Sequence, residues 1–196
     1  HRDLHSFPTR RSSDLHRTNL QLVKRHTSLT GQQCLDIGAG AGLFAHLLAE
    51  SGAVVQGIEP QAIFRAFARE KFGLELQGET VAADCWQQGF RDFFDLVTLW
   101  DVFEHVNFPA ELLQQAGNLI KPGGLLVLDT PRRDALYYRI SEWSYRLSRG
   151  ANPLFLETLY SPLPFRHKQI FTLRQLLQLV EDRKSTRLNS SHGKLS

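Results

Sequence analysis

Three glycines at alternate positions form the most chemically informative stretch of the chain. Gly38, Gly40 and Gly42 follow a short apolar segment that contains Asp36. Glycine lets the backbone turn sharply and approach a ligand closely, because it has no side chain. A dinucleotide-binding loop has the spacing GxGxxG, and its third glycine would stand where this chain has Leu43. Asp36 also disfavours a phosphate. The stretch therefore predicts a loop for a cofactor with positive charge, such as an ammonium and a sulfonium centre; a tight turn alone is the alternative.

Other acidic residues stand where predicted strands end. Glu59, Asp84 and Asp101 each close a strand-like segment. A solvated strand end is the alternative interpretation for Glu59, and a helix cap is the alternative for Asp84. An unpaired carboxylate is costly to bury, so Asp101 at the end of an apolar strand is expected to face a ligand. Ligands bind beyond the carboxyl ends of parallel strands, so these residues predict one shared site.

The hydrophobic pattern alternates between strands and helices, which predicts an α/β fold with a parallel sheet and helices on both faces. The strand segments are apolar runs, as expected where a parallel sheet is buried on both sides. Strands are predicted within residues 33–39, 53–60, 79–84, 94–106 and 125–131, and helices within residues 16–31, 41–52, 61–73, 109–124 and 171–181.

The stretch LDIGAGAG resembles the first motif of class I S-adenosylmethionine-dependent methyltransferases, whose fold is Rossmann-like. The resemblance covers most of residues 16–181, and it implies S-adenosylmethionine as the cofactor. It implies that Glu59 binds both ribose hydroxyls, and that Asp84, Cys85 and Trp86 hold the adenine. WDVFEHV, with Asp101, is similar to the loop under the methionine portion. Asp36 and the three glycines would complete the cofactor site.

Within this family the chain resembles the subgroup of ubiquinone-biosynthesis O-methyltransferases. Methyl transfer from a sulfonium is an in-line displacement, for which the enzyme mainly supplies proximity and alignment. A general base is needed only where the acceptor must lose a proton, and His105 and His167 are the candidates. A structural role is the alternative for each histidine. The resemblance implies O-methylation of a small-molecule or lipid-like acceptor.

A long connection, residues 131–170, follows the last predicted strand. It is rich in aromatic residues and arginine, and long connections in small domains are more often functional than idle. We interpret it as a partly helical lid over an acceptor that is aromatic or lipid-linked. An amphipathic helix that packs on the domain or on a membrane surface is the alternative.

The two ends of the chain differ from the rest. Residues 1–15 and 182–196 resemble translated sequencing-adapter DNA, are rich in serine and arginine, and lack hydrophobic periodicity, so both are expected to be non-native and disordered. They hold seven Lys and Arg but three Asp, which leaves a net charge of −1 for residues 16–181. The methyltransferase domain is thus expected to be incomplete, without the strands that would close its sheet after the last helix.

Composition excludes several other classes of function. Once the ends are set aside, no basic surplus favours nucleic acid as a partner. The sequence shows no apolar stretch long enough to span a membrane and no signal peptide, which predicts a cytoplasmic protein. Two cysteines are too few for a four-cysteine metal site, and no metal is predicted. An NAD-dependent oxidoreductase and a non-enzymatic relative that binds the cofactor remain as alternatives.

Overall fold

The fold is given by a computed structural model, which describes residues 10–151 and 168–181. The chain divides into two units. Of the described residues, the first unit comprises 10–102 and 115–129, and the second comprises 103–114, 130–151 and 168–181.

Helices and strands alternate along the first unit, as the hydrophobic pattern predicts. In chain order the elements of both units are α1 (Arg10–Lys24), β1 (Gln33–Ile37), α2 (Leu43–Glu50), β2 (Val54–Ile58), α3 (Ala62–Phe72), α4 (Asp84–Gly89), β3 (Phe94–Leu99), α5 (Pro109–Leu119), β4 (Ile120–Leu128), α6 (Leu136–Leu147) and α7 (residues 173–181).

The first unit contains a four-stranded parallel sheet in the order β2-β1-β3-β4. The chain passes from β1 to β2 on one side and then crosses to β3 on the other side of β1. This reversal of direction places the switch point of the sheet at the carboxyl end of β1, where open α/β sheets bind ligands. The predicted α/β fold, a Rossmann-like parallel sheet flanked by helices, is confirmed.

The core of the first unit joins α1 and α2 to β1 and β3. The side chains of Val23, Cys34 and Leu96 are fully buried in one apolar cluster, which also contains Phe44 and Trp100. β3 is buried along almost its whole length, as expected for an inner strand of a parallel sheet. The apolar face of α1 therefore packs in the same core as residues of β1 and β3.

One predicted strand is absent. Residues 79–84 form a turn that leads into α4, and the nearest β-type pairing is an isolated bridge between Gln77 and Ile58. Within this segment only the side chain of Val81 is buried, whereas a strand needs buried side chains at alternate positions. The prediction of a strand at residues 79–84 is wrong, because a single buried side chain does not give the alternation of buried and exposed residues that a strand requires.

The first helix also differs from the prediction. It begins at Arg10, so residues 10–15 are helical and not disordered, and it ends at Lys24 instead of near Gly31. Leu15 is exposed, while Leu20 and Val23 supply the buried face. The adapter origin of both ends and the boundaries of the domain stay predictions. Residues 1–9 and 182–196 lie outside the described residues.

β4 begins earlier than predicted. Its residues 120–124, which include the Lys-Pro-Gly-Gly sequence, lie within the helix predicted at residues 109–124. The register of the β3–β4 pairing shifts between Phe94 and Leu96. Phe94 pairs with Ile120, whereas Leu96 pairs with Leu125, so the intervening residues of β4 form an irregular stretch. Lys121 within this irregular stretch binds the carboxylate of Asp95 at 2.7 Å.

The described part of the second unit is held together around Phe171. Its ring lies 5.0 Å from that of Phe103, and its carbonyl oxygen accepts a hydrogen bond from the backbone N–H of Arg133. The N–H of Leu173, at the start of α7, donates to Asp134. Helix α6 lies within the predicted 131–170 segment. No helix among the described residues has both the length and the apolar character needed to cross a membrane.

We expect Phe94→Ala to lower the free energy of unfolding by about 3–5 kcal/mol. The Phe94 ring is fully buried and contacts the rings of Trp86, Phe90 and Phe93. The control is Phe93→Ala, because the Phe93 side chain is 36% exposed; its expected loss is below about 2 kcal/mol. Urea unfolding followed by circular dichroism measures both, and equal losses would contradict the packing described here.

Candidate functional site

The glycine loop leaves β1 at the switch point of the sheet. Gly38, Gly40 and Gly42 all have positive φ, at 73°, 53° and 80°. A β-carbon on Gly38 would collide with the side chain of Val102, and one on Gly42 would lie 2.8 Å from the β-carbon of Ala68. Both the backbone conformation and the close packing therefore require glycine at these two positions.

Most of the backbone N–H groups of this loop are used within the protein. The N–H groups of Gly38 and Ala39 both donate to the carbonyl oxygen of Ile58, at 2.8 and 2.9 Å. Gly40 donates to the Glu59 carboxylate, and Gly42 donates to the carbonyl of Ala39. A pyrophosphate site needs such groups free to point at the phosphate oxygens. These four donors are not free, which disfavours a dinucleotide.

Glu59 lies directly after β2 and is the anchor of the loop. Its side chain is buried, and its two carboxylate oxygens accept hydrogen bonds from the N–H groups of Gly40 at 2.9 Å and Gln61 at 2.8 Å. A carboxylate offers about four lone-pair positions, so each oxygen can accept a further hydrogen bond. The solvated strand end considered from sequence is wrong, because Glu59 is 6% exposed.

Asp36 lies beneath the loop, inside β1. Its side chain is 1% exposed and accepts a 2.7 Å hydrogen bond from the hydroxyl of Thr98 on β3. Burial raises the pKa of Asp36 to about 7, against the opposing hydrogen bond from Thr98, and the negative charge of Glu59 adds to the rise. Because the Asp36 side chain is buried, a ligand cannot contact it directly in this structure. The role of Asp36 in cofactor binding stays a prediction, and at this distance from solvent it would act through its charge.

Asp101 follows β3 in a left-handed conformation, with φ of 53°. The sequence argument for a ligand-facing role assumed that this carboxylate is buried; that assumption is wrong, because Asp101 is exposed. Asp129 follows β4 and is partly buried. Burial raises the pKa of Asp129, and the negative charge of Asp101 raises it further. The two carboxylates therefore lie at one edge of the sheet, and a role of Asp101 in cofactor binding stays a prediction.

The predicted adenine-binding residues separate into two environments. Asp84 and Cys85 are exposed in the first turn of α4, for which Ala83 is the N-cap residue. Trp86 is 2% exposed, and its ring packs against Phe90 and Phe94. The indole of Trp86 is therefore part of the core, and a role of Asp84, Cys85 and Trp86 in holding an adenine stays a prediction.

The two candidate bases are placed differently. His105 lies in a turn of the second unit, after the fully buried Glu104, whose carbonyl oxygen accepts hydrogen bonds from the N–H groups of Lys168 and Gln169. His167 lies outside the described residues, as do residues 152–167 of the predicted lid. The catalytic role of each histidine stays a prediction.

Sequence reasoning missed several polar groups that the fold buries. Thr98, the partner of Asp36, is a polar residue inside an otherwise apolar strand, and that placement was an available signal. His16 and Asn19 on α1 and Trp100 after β3 are also buried wholly or in part. No spacing rule joins them, because α1 and β3 are far apart in sequence.

We expect Asp36→Asn to change how stability depends on pH. The folded-state pKa of Asp36 is about 7, above its ordinary value of 3.8, so the folded state retains a proton that the unfolded state has lost. This contribution to the free energy of unfolding is complete below about pH 4 and declines, by at most about 4 kcal/mol, as the pH rises to 7.

The variant lacks this decline. Its stability relative to the wild type should therefore rise between pH 4 and 8 in chemical unfolding curves. Glu70→Gln, at an exposed position on α3, is the matched change and should show no such trend. A stability difference between Asp36→Asn and wild type that stays constant over this pH range would show that Asp36 ionises normally in the folded protein.

Comparison with known proteins connects this geometry to a family. A sequence model for a family described as a methyltransferase domain matches residues 10–183. The ubiquinone biosynthesis O-methyltransferase of Nitrosococcus oceani is 32% identical over 129 residues, which are 64% of this chain and 54% of that protein. The corresponding protein of Aeromonas salmonicida is 36% identical over 121 residues, or 60% of this chain and 50% of its own length. The chain thus spans about half the length of these relatives.

A solved structure supports the same fold. An S-adenosylmethionine-dependent methyltransferase from Archaeoglobus fulgidus matches 87% of this chain and 68% of its own chain, with a TM-score of 0.63 and 19% identity. The family match covers the predicted glycine loop, and the predicted family and its S-adenosylmethionine cofactor are confirmed at this level. The chain belongs to the methyltransferase-domain family of S-adenosylmethionine-dependent enzymes.

Proposed function

We propose that this chain binds S-adenosylmethionine at the glycine loop and methylates an oxygen atom of a small-molecule or lipid-like acceptor. One observation carries the proposal, namely the hydrogen bonding and charge of the loop. Its N–H groups at residues 38, 39, 40 and 42 donate to acceptors within the protein, and the buried carboxylates of Asp36 and Glu59 lie close to it. Residues 38–43 hold no cationic side chain. This environment suits a cationic cofactor better than a pyrophosphate.

The residues at the strand ends fit the parts of this cofactor. Glu59 has acceptor capacity left for two ribose hydroxyls, which would share its oxygens with Gly40 and Gln61. Asp84 is exposed and can accept a hydrogen bond from an adenine amino group, while the backbone of Cys85 can donate to the ring. Asp36 would stabilise the ammonium group through its charge. When bound, the cofactor supplies a methyl group on positively charged sulfur.

The protein's own residues would then position the acceptor and receive its proton. His105 and His167 are the proposed proton acceptors. Oxygen as the methylated atom is supported by the relatives named ubiquinone biosynthesis O-methyltransferase, at 32% and 36% identity. Because these relatives are about twice as long as the matched region, the acceptor belongs to the proposal and not to the comparison.

Helix α6 supports an acceptor with apolar character. Leu136, Ile140, Trp143 and Leu147 recur at helical spacing, and each is more than half exposed. Residues three or four positions apart share one face of a helix, so these side chains form an apolar stripe. We propose that this stripe belongs to an acceptor-binding segment within residues 131–170, for an aromatic or lipid-linked molecule.

The first prediction concerns affinity and cofactor class. Calorimetric titration should show micromolar binding of S-adenosylhomocysteine and no binding of NADH. Glu59→Gln should weaken binding of S-adenosylhomocysteine by at least about tenfold, because one acceptor oxygen becomes an amide donor. Glu70→Gln on α3 makes the same change at an exposed position and should bind normally. Binding of NADH alone would replace this proposal with an oxidoreductase.

The second prediction concerns proton release. An ammonium group placed near Asp36, such as that of S-adenosylhomocysteine, lowers the pKa of this carboxyl, which is about half protonated at pH 7 when its pKa is about 7. Binding of S-adenosylhomocysteine at pH 7 should therefore release up to about half a proton. Titrations in two buffers with different ionisation enthalpies measure this quantity. Asp36→Asn should bind without that release, and equal release by both proteins would place the ligand's charge elsewhere.

A further inference from the structure

The side chain of Arg65, in the first turn of α3, folds back onto the chain that leaves β2. Its Nη1 group donates hydrogen bonds to the carbonyl oxygen of Glu59, at 2.9 Å, and to the carbonyl oxygen of Pro60. Arg65 is partly buried, so bulk water competes less for these bonds. A charged donor also makes a stronger hydrogen bond than a neutral one. The guanidinium therefore holds the backbone that carries the Glu59 side chain.

The segment that contains Gln77 and Gly78 holds the same backbone. The N–H group of Glu59 donates to the carbonyl oxygen of Gln77 at 2.9 Å, and the N–H group of Gln77 donates to that of Gly57 at 2.8 Å. A β-carbon on Gly78 would lie 3.0 Å from the guanidinium carbon of Arg65. The absence of a side chain at Gly78 thus leaves room for the guanidinium to pack against this segment.

All four polar groups of Glu59 are held by these contacts. Its N–H group donates to Gln77, and its carbonyl oxygen accepts from Arg65. Its two carboxylate oxygens accept from the N–H groups of Gly40 and Gln61. The guanidinium thus bonds the backbone of Glu59 and leaves its carboxylate to the two N–H groups. Its positive charge lies near a buried negative one without using the lone pairs of the carboxylate.

The fixed geometry matters for a ligand with two adjacent hydroxyl groups. Hydrogen bonds weaken steeply when distance or angle departs from the preferred range, so both carboxylate oxygens must be correctly placed at once. A carboxylate that is already ordered loses no further conformational freedom when the ligand binds, which raises affinity. In this chain that order depends on the backbone of Glu59, and one carbonyl oxygen of that backbone is held by Arg65.

We infer that Arg65 is a positioning residue, which holds the Glu59 carboxylate in the place where it receives the two ribose hydroxyl groups of the cofactor. This inference rests on the proposed function and adds to it a residue that acts through Glu59.

Three variants of the full chain test this role. Arg65→Met removes the guanidinium and keeps an apolar stem of similar length. Arg65→Lys keeps the positive charge and a donor group, so its effects should be in the same direction and smaller. Arg69→Met is the matched control, because Arg69 lies on the same helix and its guanidinium binds the exposed carboxylate of Glu75.

The first measurement needs no ligand. Nitrogen-15 labelling of the fourteen glycines makes their amide hydrogen exchange visible. Arg65→Met should speed exchange of the Gly40 N–H by at least about tenfold, because its acceptor, the Glu59 carboxylate, becomes less ordered. The N–H of Gly31, which donates to the carbonyl oxygen of Gly52, should exchange as in wild type. Arg69→Met should change neither rate.

The second measurement compares two ligands by calorimetric titration. They are S-adenosylhomocysteine and its analogue without the 2′ and 3′ ribose hydroxyl groups. Arg65→Met should weaken binding of S-adenosylhomocysteine by at least about tenfold, and binding of the analogue by less than about twofold. Arg65→Lys should recover part of the lost affinity, and Arg69→Met should bind both ligands normally. A general loss of stability would weaken both ligands by the same factor.

Each contrary result has its own meaning. The inference is overturned if Arg65→Met leaves Gly40 exchange unchanged, if it speeds Gly40 and Gly31 equally, or if it weakens both ligands equally. A wild-type protein that binds no S-adenosylhomocysteine would refute the proposed function. Faster Gly40 exchange alone would then retain Arg65 as the residue that positions Glu59. If Arg65→Met does not fold, Arg65→Lys decides by the same comparisons.

Discussion

The site depends on the tie between the end of β2 and the loop that follows β1. Ile58 accepts two hydrogen bonds from this loop through its carbonyl oxygen, and Glu59 accepts one from Gly40 through its carboxylate. A second hydrogen bond from Gln61 fixes the Glu59 side chain from the other direction. Because Glu59 is buried, losing either partner would leave a charged group with fewer hydrogen bonds in a poorly solvated place. The loop and the carboxylate therefore hold each other in place.

This tie also sets the charge of the site. The same hydrogen bonds that order the loop consume the N–H groups that a phosphate would need, and they fix one carboxylate beside a second at Asp36. Burial makes the charge of Asp36 costly, and its pKa near 7 makes that charge adjustable near neutral pH. A positively charged group bound nearby would offset this cost, which links the electrostatics of the loop to the class of ligand it favours.

Four strands of the sheet, the position of the glycine loop and the place of Glu59 directly after β2 could all be predicted from the sequence. Those features depend on local patterns: apolar runs that match strands, glycines at positions of positive φ, and an acidic residue at the end of β2. Local patterns predicted neither the turn at residues 79–84 nor the burial of Trp86 in the core. Whether an apolar side chain faces the core or a ligand depends on what packs against it, and Trp86 meets Phe90 and Phe94.

The contacts between residues from distant segments became visible only in the folded chain. Thr98 reaches Asp36 across 62 positions of sequence, and Phe44 lies between His16 and Trp100 because α1 and α2 pack on the same sheet. Burial of Glu59 and exposure of Asp101 were equally invisible in the sequence, where both are acidic residues at strand ends. A linear pattern records the type and spacing of residues, whereas solvation and pairing arise from contacts between elements that the chain brings together only when it folds.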